Sequence, residues 1–179
     1  MRMEEMINVL PELKWITDPA LAQKCLSCWK NAMDMGGWEL QDLDLIPFTL
    51  LIPDCRISLK THVRAVTQTA LASAQILSNF YADEYALDMD TVLAGALLHD
   101  IGKLLEYRRD GSKFVKSPCG VLLRHPFTGA GLAMKNNLPD AVVHVIAVHA
   151  KEGDDGYRSP EAVIVHHADF MNFEPLRGR

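Results

Sequence analysis

The 179-residue chain lacks an apolar run that could cross a bilayer, since no stretch approaches the roughly 20 apolar residues that a span needs. Its first residues include the acids Glu4 and Glu5, where a secretory signal would carry bases. Basic residues are not in excess either, because 18 Lys and Arg face 23 Asp and Glu, for a formal net charge of −5. These absences predict a cytoplasmic protein with no membrane span and no strong nucleic-acid surface.

Cysteines are few, and they complete no known site. Cys25 and Cys28 form a C-x-x-C pair, but no second pair follows and no strand pattern precedes it, as zinc and redox motifs require. Cys55 and Cys119 stand alone and are interpreted as ordinary buried thiols. The cysteines therefore favour no metal or redox role.

The composition is typical of a globular domain. Hydrophobic residues make up 49% of the chain, and the mean hydropathy is +0.01. The length allows one well-buried core with an added subdomain, and we find no internal repeat or low-complexity segment.

Apolar periodicity and capping residues predict an almost entirely helical chain. The predicted helices run from Pro19 to about Met35, from about Leu59 to Tyr81, from an Asp90 cap to near Tyr107, from His125 to near Asn136, from Pro139 to about Lys151, and from Ser159 onward. Residues 38–55 are irregular and apolar and are expected to cover the core or line a cleft. Residues 112–124 fit a short strand or a loop.

A histidine and an aspartate, His99 and Asp100, stand side by side in the most apolar of these helices. Nearly every residue from Val92 to Leu105 is apolar or small, which predicts burial on most sides. Buried polar groups cost several kcal/mol, roughly, unless a partner compensates them. A divalent metal ion suits a neutral imidazole and a carboxylate together, so the pair indicates a metal site.

Further candidate ligands fall on other predicted helices, where a helical bundle can direct them into one cavity. The candidates are His62, His99, Asp100, His125, His149 and Asp169. Asp100 has two carboxylate oxygens and can bridge two ions. Mixed His and Asp donors suit Mn, Fe, Co, Ni, Zn or Mg, and the sequence does not choose among these divalent metals.

The order H…HD…H…H…D, with the run His99-Asp100-Ile101-Gly102-Lys103 at its centre, resembles the HD-domain superfamily of metal-dependent phosphohydrolases over residues 58–179. Residues 159–169 resemble the HD module of the ribonuclease Y family. The resemblance implies an all-α HD-domain helical bundle with a metal site in its core, preceded by an N-terminal helical extension over residues 1–57.

The resemblance also implies roles for the candidate ligands. The first ion would be held by His62, His99, Asp100 and Asp169. The second would be held by His125 and His149, with Asp100 as the bridge. The family branch that hydrolyses cyclic-di-GMP carries His-His-Glu and Gly-Tyr-Pro signatures, and the corresponding runs here, residues 148–150 and 156–158, differ, which argues against that substrate.

Bound divalent ions lower the pKa of coordinated water, so we expect a metal-activated hydroxide to attack phosphorus. Lys103, four residues after His99, is expected to bind a phosphate oxygen, and Arg124 is a second candidate for substrate binding. Asp100 and Lys103 are the predicted catalytic residues. The predicted activity is hydrolysis of a phosphoester or phosphoanhydride of a nucleotide or short oligonucleotide.

Three alternatives stay open at this point. The first is a ribonuclease module that works with a partner. The second is a catalytically silent nucleotide-binding regulatory module, and the third is a dimetal oxygenase. Residues 1–57 are expected to close one side of the cavity or to form a homodimer surface. Among the other histidines, His144 and His167 are interpreted as structural or exposed, and His166 as an outer partner of the Asp169 ligand.

Overall fold

A computed structural model describes residues 3–177 of the chain, which fold into packed helices with one small β-hairpin. The helices are α1 (Met3–Val9), α2 (Pro19–Gly36), α3 (Leu59–Tyr81), α4 (Met89–Leu98), α5 (Lys103–Glu106), α6 (Pro118–Leu122), α7 (His125–Lys135), α8 (Asp140–Val148) and α9 (Pro160–Arg177). Short 3-10 turns cover Pro11–Trp15, Leu40–Asp44 and Lys151–Gly153. The predicted all-α class is confirmed.

Helix α4 is the centre of the bundle. Its residues from Thr91 to Leu98 are all buried, and it packs against α2, α3, α8 and α9. Burial on every side explains why this segment carries almost no polar residues until His99.

The single helix predicted from Asp90 to Tyr107 is wrong in two respects. Its N-cap is Asp88, whose carboxylate accepts hydrogen bonds from the backbone N–H groups of Asp90 and Thr91. The helix also ends at Leu98, and residues 99–102 form a turn before α5 begins. Gly102 permits this turn to contact α7, because a Cβ there would lie 2.1 Å from the backbone oxygen of His125.

Several other predicted elements are confirmed. Helix α2 begins after Asp18, whose side chain accepts from the Ala20 N–H, and it ends at Gly37 in the left-handed conformation with φ 71°. Helix α3 has the predicted bounds. The strand predicted within residues 112–124 is β2 (Lys113–Lys116), which pairs antiparallel with β1 (Tyr107–Asp110), but helix α6 follows where only a strand or a loop is predicted.

The four cysteines are free thiols. Cys25 and Cys28 are fully buried on α2, where burial raises the pKa of Cys28 to about 12. The prediction of burial for Cys119 is wrong, since this residue is exposed on the short surface helix α6. Cys55 is half-buried.

The N-terminal residues share one hydrophobic core with the bundle. Met6, Leu10 and Trp29 are fully buried in the same cluster as Leu97 and Ile101 of the central segment. The N-terminal segment therefore packs directly on the layer that carries His99 and Asp100.

A strap, residues 46–53, runs across the bundle ahead of α3. The Phe48 N–H donates to the Ile57 oxygen at 3.0 Å, and the Leu59 N–H donates to the Ile46 oxygen at 2.8 Å. These bonds hold the strap against the start of α3, the helix that carries His62.

Asp90 joins the N-terminal segment to α4. Its carboxylate accepts bonds of 2.8 Å from the Thr17 N–H, the Thr17 hydroxyl and the Asp18 N–H. Burial opposes ionisation of this group, but these hydrogen bonds outweigh it and lower the pKa of Asp90. Because the folded-state pKa lies below the unfolded value, the stabilisation is complete above the unfolded pKa and is lost as pH falls through the folded one.

We therefore expect Asp90→Asn to lower the free energy of unfolding by about 1 kcal/mol at neutral pH, since it replaces charge-assisted hydrogen bonds with weaker ones. The difference from the parent protein should shrink as pH falls from about 5 to about 2. Urea unfolding across this range measures it, with the exposed Asp83→Asn as the control. A difference that does not change with pH would contradict this role of the carboxylate.

Candidate metal centre

The structure brings all six predicted ligands into one buried site from five parts of the chain. The residues are His62 on α3, His99 and Asp100 in the turn after α4, His125 at the start of α7, His149 directly after α8, and Asp169 on α9. Five of them form two overlapping groups whose ligand atoms lie within 4.8 Å of one another, and Asp100 belongs to both groups.

The first group contains His62, His99 and Asp100, with Asp169 beside it. Oδ2 of Asp100 lies 3.5 Å from Nε2 of His62 and 3.4 Å from Nε2 of His99. Asp169 Oδ1 lies 3.0 Å from Nε2 of His62. Two imidazole nitrogens and two carboxylates therefore converge on one point.

The second group uses the other oxygen of the same carboxylate. Oδ1 of Asp100 lies 3.3 Å from Nε2 of His125 and 3.8 Å from Nε2 of His149. This oxygen is buried and has no hydrogen-bond partner among the residues that the structure describes. Asp100 thus stands between two histidine pairs, with one oxygen toward each.

Hydrogen bonds at the opposite ring nitrogens determine what His125 and His149 present to this centre. The Nδ1 atom of His149 donates to the Ile146 carbonyl at 2.8 Å, and that of His125 donates to the Glu106 carboxylate at 2.9 Å. Each Nε2 is then left with a lone pair, yet the two Nε2 atoms lie only 3.3 Å apart. Two acceptors at this distance repel each other unless a cation lies between them.

The donor set fits a divalent metal ion. Two nitrogens bound about 2.0–2.1 Å from one ion at a tetrahedral angle stand about 3.4 Å apart. The observed separations are 3.3 Å for His125 with His149 and 3.4 Å for His62 with His99. The unpartnered oxygen of Asp100 supplies a negative donor to the same place.

The protonation states also suit metal binding, which requires neutral imidazoles and ionised carboxylates. Burial, assisted by the neighbouring histidines, lowers the pKa of His149 to about 3. Burial also lowers the pKa of His62 and His125. Burial opposes ionisation of Asp100, but the Lys103 and His99 charges hold the pKa of that carboxyl well below its usual range.

His99 differs from the other three histidines. Burial lowers its pKa, but the charge of the adjacent Asp100 and of Asp169 outweighs burial and raises it above the ordinary value. Its Nδ1 donates to the Ala96 carbonyl at 2.6 Å, so Nε2 is the atom that faces the centre. Metal binding at this nitrogen releases any proton that it carries.

Lys103 contacts the Asp100 carboxylate directly. Its Nζ donates to Oδ2 of Asp100 at 2.5 Å, and the residue is only 7% exposed. The sequence places Lys103 on the helical face of His99, but the turn at 99–102 interrupts that helix and makes Lys103 the first residue of α5. Burial lowers the lysine pKa, yet Asp100 outweighs it and raises that pKa, so the ammonium stays charged.

A cleft of about 410 Å³ opens beside the centre. Lys103, His125 and Asp169 line its inner end. Arg124 also lines it, and its Nε lies 3.2 Å from Oε1 of Glu152. The structure thus places Arg124 at the cleft, and its role in substrate binding stays a prediction.

Two residues at the centre escape prediction from the sequence. Glu106 holds His125 through its carboxylate, and Phe48 of the strap stacks on the His62 ring with centroids 4.3 Å apart. A signal for Glu106 exists, because a charged residue within the apolar run after Lys103 needs a partner once buried. Phe48 has no such signal, since nothing local distinguishes it from other core aromatics.

The remaining histidines lie outside the two groups. His166 does contact the outer side of the site, but its Nδ1 bonds the backbone oxygen of His149 at 2.6 Å and not Asp169. His144 stacks on Tyr157 and accepts from the Ser159 N–H, and His167 is exposed.

Glu106 is a positioning residue for His125. Its carboxylate accepts from both Nδ1 and the backbone N–H of His125, at 2.9 and 2.6 Å. His99 and His149 have only backbone carbonyls at Nδ1. A carboxylate acceptor makes the imidazole a stronger donor and holds the ring in place.

We expect Glu106→Gln to weaken metal binding at the His125 side by about 10- to 100-fold, with a smaller effect at the His62 side. Titration of the metal-stripped protein with Mn²⁺, followed by electron paramagnetic resonance, measures both affinities. The exposed Glu174→Gln is the matched control. Unchanged affinities in Glu106→Gln would contradict the positioning role.

Comparison with known proteins identifies the family. The family model described as "HD domain" matches residues 59–171, which include all six candidate ligands. The chain therefore belongs to the HD domain family, and the resemblance seen in the sequence is confirmed.

Individual relatives match between about half and two thirds of the chain. A dihydroneopterin 2',3'-cyclic phosphate phosphodiesterase from Methanocaldococcus jannaschii is 34% identical over 111 residues, covering 60% of this chain and 43% of that protein. Ribonuclease Y from Thermotoga petrophila is 31% identical over 97 residues, covering 54% of this chain and 16% of that protein. Ribonuclease Y from Acidothermus cellulolyticus is 37% identical over 96 residues, covering 54% of this chain and 17% of that protein.

The chain thus spans less than half the length of these relatives. No solved structure matches it significantly. Within residues 3–177, no helix combines the length and apolar character that crossing a membrane requires.

Proposed function

We propose that this protein is a metal-dependent phosphohydrolase with two divalent ions, one held by each histidine pair and both by Asp100. The observation that carries the proposal is the Asp100 carboxylate, which directs Oδ2 toward His62 and His99 and Oδ1 toward His125 and His149. A silent regulatory module would not need a second, unpaired donor oxygen buried at its centre.

The chain's own residues would have distinct roles in such a reaction. Divalent ions bound here would activate water and draw negative charge from phosphoryl oxygens. Lys103, at the inner end of the cleft, would bind a phosphoryl oxygen and stabilise charge as it develops. Arg124 would orient the substrate from the cleft wall, where its guanidinium forms an ion pair with Glu152.

The cleft suits a small substrate. Its volume of about 410 Å³ lies within the range of about 300–1,000 Å³ that is typical of small-molecule sites. The Methanocaldococcus jannaschii relative is named for a cyclic phosphodiester, dihydroneopterin 2',3'-cyclic phosphate. We therefore propose a nucleotide or a related cyclic phosphodiester as the substrate, hydrolysed at phosphorus.

A second candidate is an RNA-processing module that works with a partner. The ribonuclease Y relatives, at 31% and 37% identity, favour it. Cleavage of short single-stranded RNA without hydrolysis of cyclic mononucleotides would select this candidate over the first.

A substrate screen tests both candidates. Metal-stripped protein is reloaded separately with Mn²⁺, Fe²⁺, Co²⁺, Ni²⁺, Zn²⁺ or Mg²⁺ and assayed against five substrates: p-nitrophenyl phosphate, bis(p-nitrophenyl) phosphate, nucleoside 2′,3′-cyclic phosphates, dihydroneopterin 2′,3′-cyclic phosphate and short RNA. We expect phosphodiester hydrolysis that chelation abolishes. If no well-metallated form hydrolyses any of the five substrates, the proposal fails. Oxygen uptake by the iron-loaded protein would indicate oxygenase chemistry.

Metal stoichiometry tests the two-ion arrangement separately. We expect the parent protein to bind two ions and His149→Ala to bind one, because the second group loses a nitrogen donor while the first keeps all of its own. Metal analysis after gel filtration measures the ratio, and His144→Ala, outside both groups, is the control. One ion in the parent protein would contradict the bridge.

The cytoplasmic location, the homodimer and the domain boundary after residue 57 stay predictions.

A further inference from the structure

The strap lies outside the family match at residues 59–171, yet it forms one side of the cleft. Four consecutive residues of the strap line the cleft: Phe48, Thr49, Leu50 and Leu51. This wall is therefore a feature of the chain's own N-terminal segment, in contact with a centre built by the family's ligands.

The strap residues divide into an inner and an outer part. Phe48 is 1% exposed, stacks on His62, and lies under Lys103, whose Nζ is 5.6 Å from the ring centroid. Leu51, three residues on, is 65% exposed. The strap thus runs from the metal centre to the mouth of the cleft, where it presents the exposed apolar side chain of Leu51.

Aromatic residues of α9 line the same cleft. Phe170 and Phe173 are half-buried there, and Phe173 meets Phe48 edge to face with centroids 6.1 Å apart. Basic side chains stand among these apolar walls at Lys116, Lys151 and Arg177. The cleft therefore combines a phosphate-binding inner end, apolar walls and positive charge in one continuous space.

We propose that Leu50 and Leu51, with Phe170 and Phe173, form a subsite for a planar heteroaromatic ring joined to the phosphate at the metal centre. This inference rests on the proposed function. A flat ring fits apolar walls that include aromatic edges, and its ring heteroatoms remain free to meet the basic side chains. The strap then determines which phosphoesters the centre accepts.

The size of the cleft supports a ring over a longer group. A volume of about 410 Å³ accommodates one ring with its sugar and phosphate, whereas a polymer segment or a long acyl chain would extend beyond the cleft. The exposure of Leu51 gives the ring an apolar surface to cover, which is the source of its contribution to binding.

Kinetics with matched substrates test the subsite. Leu51→Ala is expected to raise KM for adenosine and uridine 2′,3′-cyclic phosphates by about three- to tenfold, because it removes part of the apolar wall. KM for glycerol 1,2-cyclic phosphate, which has no ring, should not change. The control is Leu45→Ala, which truncates an exposed leucine outside the cleft.

Comparison of the adenosine and uridine substrates shows which size of ring the subsite accepts. A larger change for adenosine than for uridine would indicate a purine-sized ring, and equal changes would indicate a subsite that accepts either. Equal KM increases for the ringless substrate, or no increase for either nucleotide, would overturn the proposal.

Binding measured without turnover separates this inference from the proposed function. In Zn²⁺-loaded protein with labelled leucine methyl groups, adenosine 3′-monophosphate is expected to shift the Leu50 and Leu51 signals, whereas inorganic phosphate is not. Such shifts without any hydrolysis would support the subsite and overturn the phosphohydrolase. Hydrolysis with no ring-dependent shift at these leucines would support the phosphohydrolase and overturn the subsite.

Discussion

Asp100→Asn is expected to lower phosphodiester hydrolysis by about 1,000-fold or more. The substitution keeps the shape of the side chain but removes the charge that both histidine groups share. Loss of metal-derived stabilisation worth about 4 kcal/mol corresponds to that factor. Metal content should fall in parallel, because both groups lose their common carboxylate.

Two variants make the Asp100 result specific. Asp110→Asn, at the exposed end of strand β1, is expected to keep full activity and metal content. Asp100→Glu keeps the charge and should retain more metal than Asp100→Asn, although its oxygens are displaced by one methylene. If Asp100→Asn kept two ions and the parental rate, Asp100 could not be the bridge.

Lys103→Met is expected to reduce hydrolysis by about 100-fold, mainly through kcat, because it removes a cation placed to stabilise charge on phosphorus oxygens. It should also destabilise the metal-free protein by about 3–5 kcal/mol, since the buried Asp100 carboxylate loses its ion-pair partner. Bound metal supplies an alternative counter-charge, so the stability deficit should shrink when ions are added.

Thermal unfolding with and without Mn²⁺, together with steady-state kinetics, measures both effects. Lys113→Met on the exposed hairpin is the matched control. Lys103→Arg should restore the charge and most of the stability. A stability deficit that is the same with and without ions would show that Lys103 contributes only packing.

Predictions succeeded where local chemistry decides the structure. The caps of α2 and the bounds of α3 follow from Asp18, Gly37 and the periodicity between Leu59 and Tyr81. The break between α4 and α5 was not predictable in this way, because its residues have ordinary helical neighbours. It arises where Gly102 meets the backbone of His125, a contact between segments more than 20 residues apart.

The sequence by itself determined the types of the candidate ligands and the order in which they occur along the chain. Histidine and aspartate in an apolar helix demand compensation wherever that helix packs, so composition and burial alone predict a metal site. The HD run and the five-part spacing then indicated the family, which the match over residues 59–171 shows.

Only the tertiary structure decided how the candidate ligands divide into two groups that share Asp100. That Asp100 directs one oxygen to each histidine pair depends on helices brought together from distant parts of the chain. The same holds for Glu106 behind His125 and for the strap over His62, whose contacts span sequence separations of 19 and 14 residues. Sequence patterns record what a residue needs when buried, whereas the identity of its partner depends on which segments pack together.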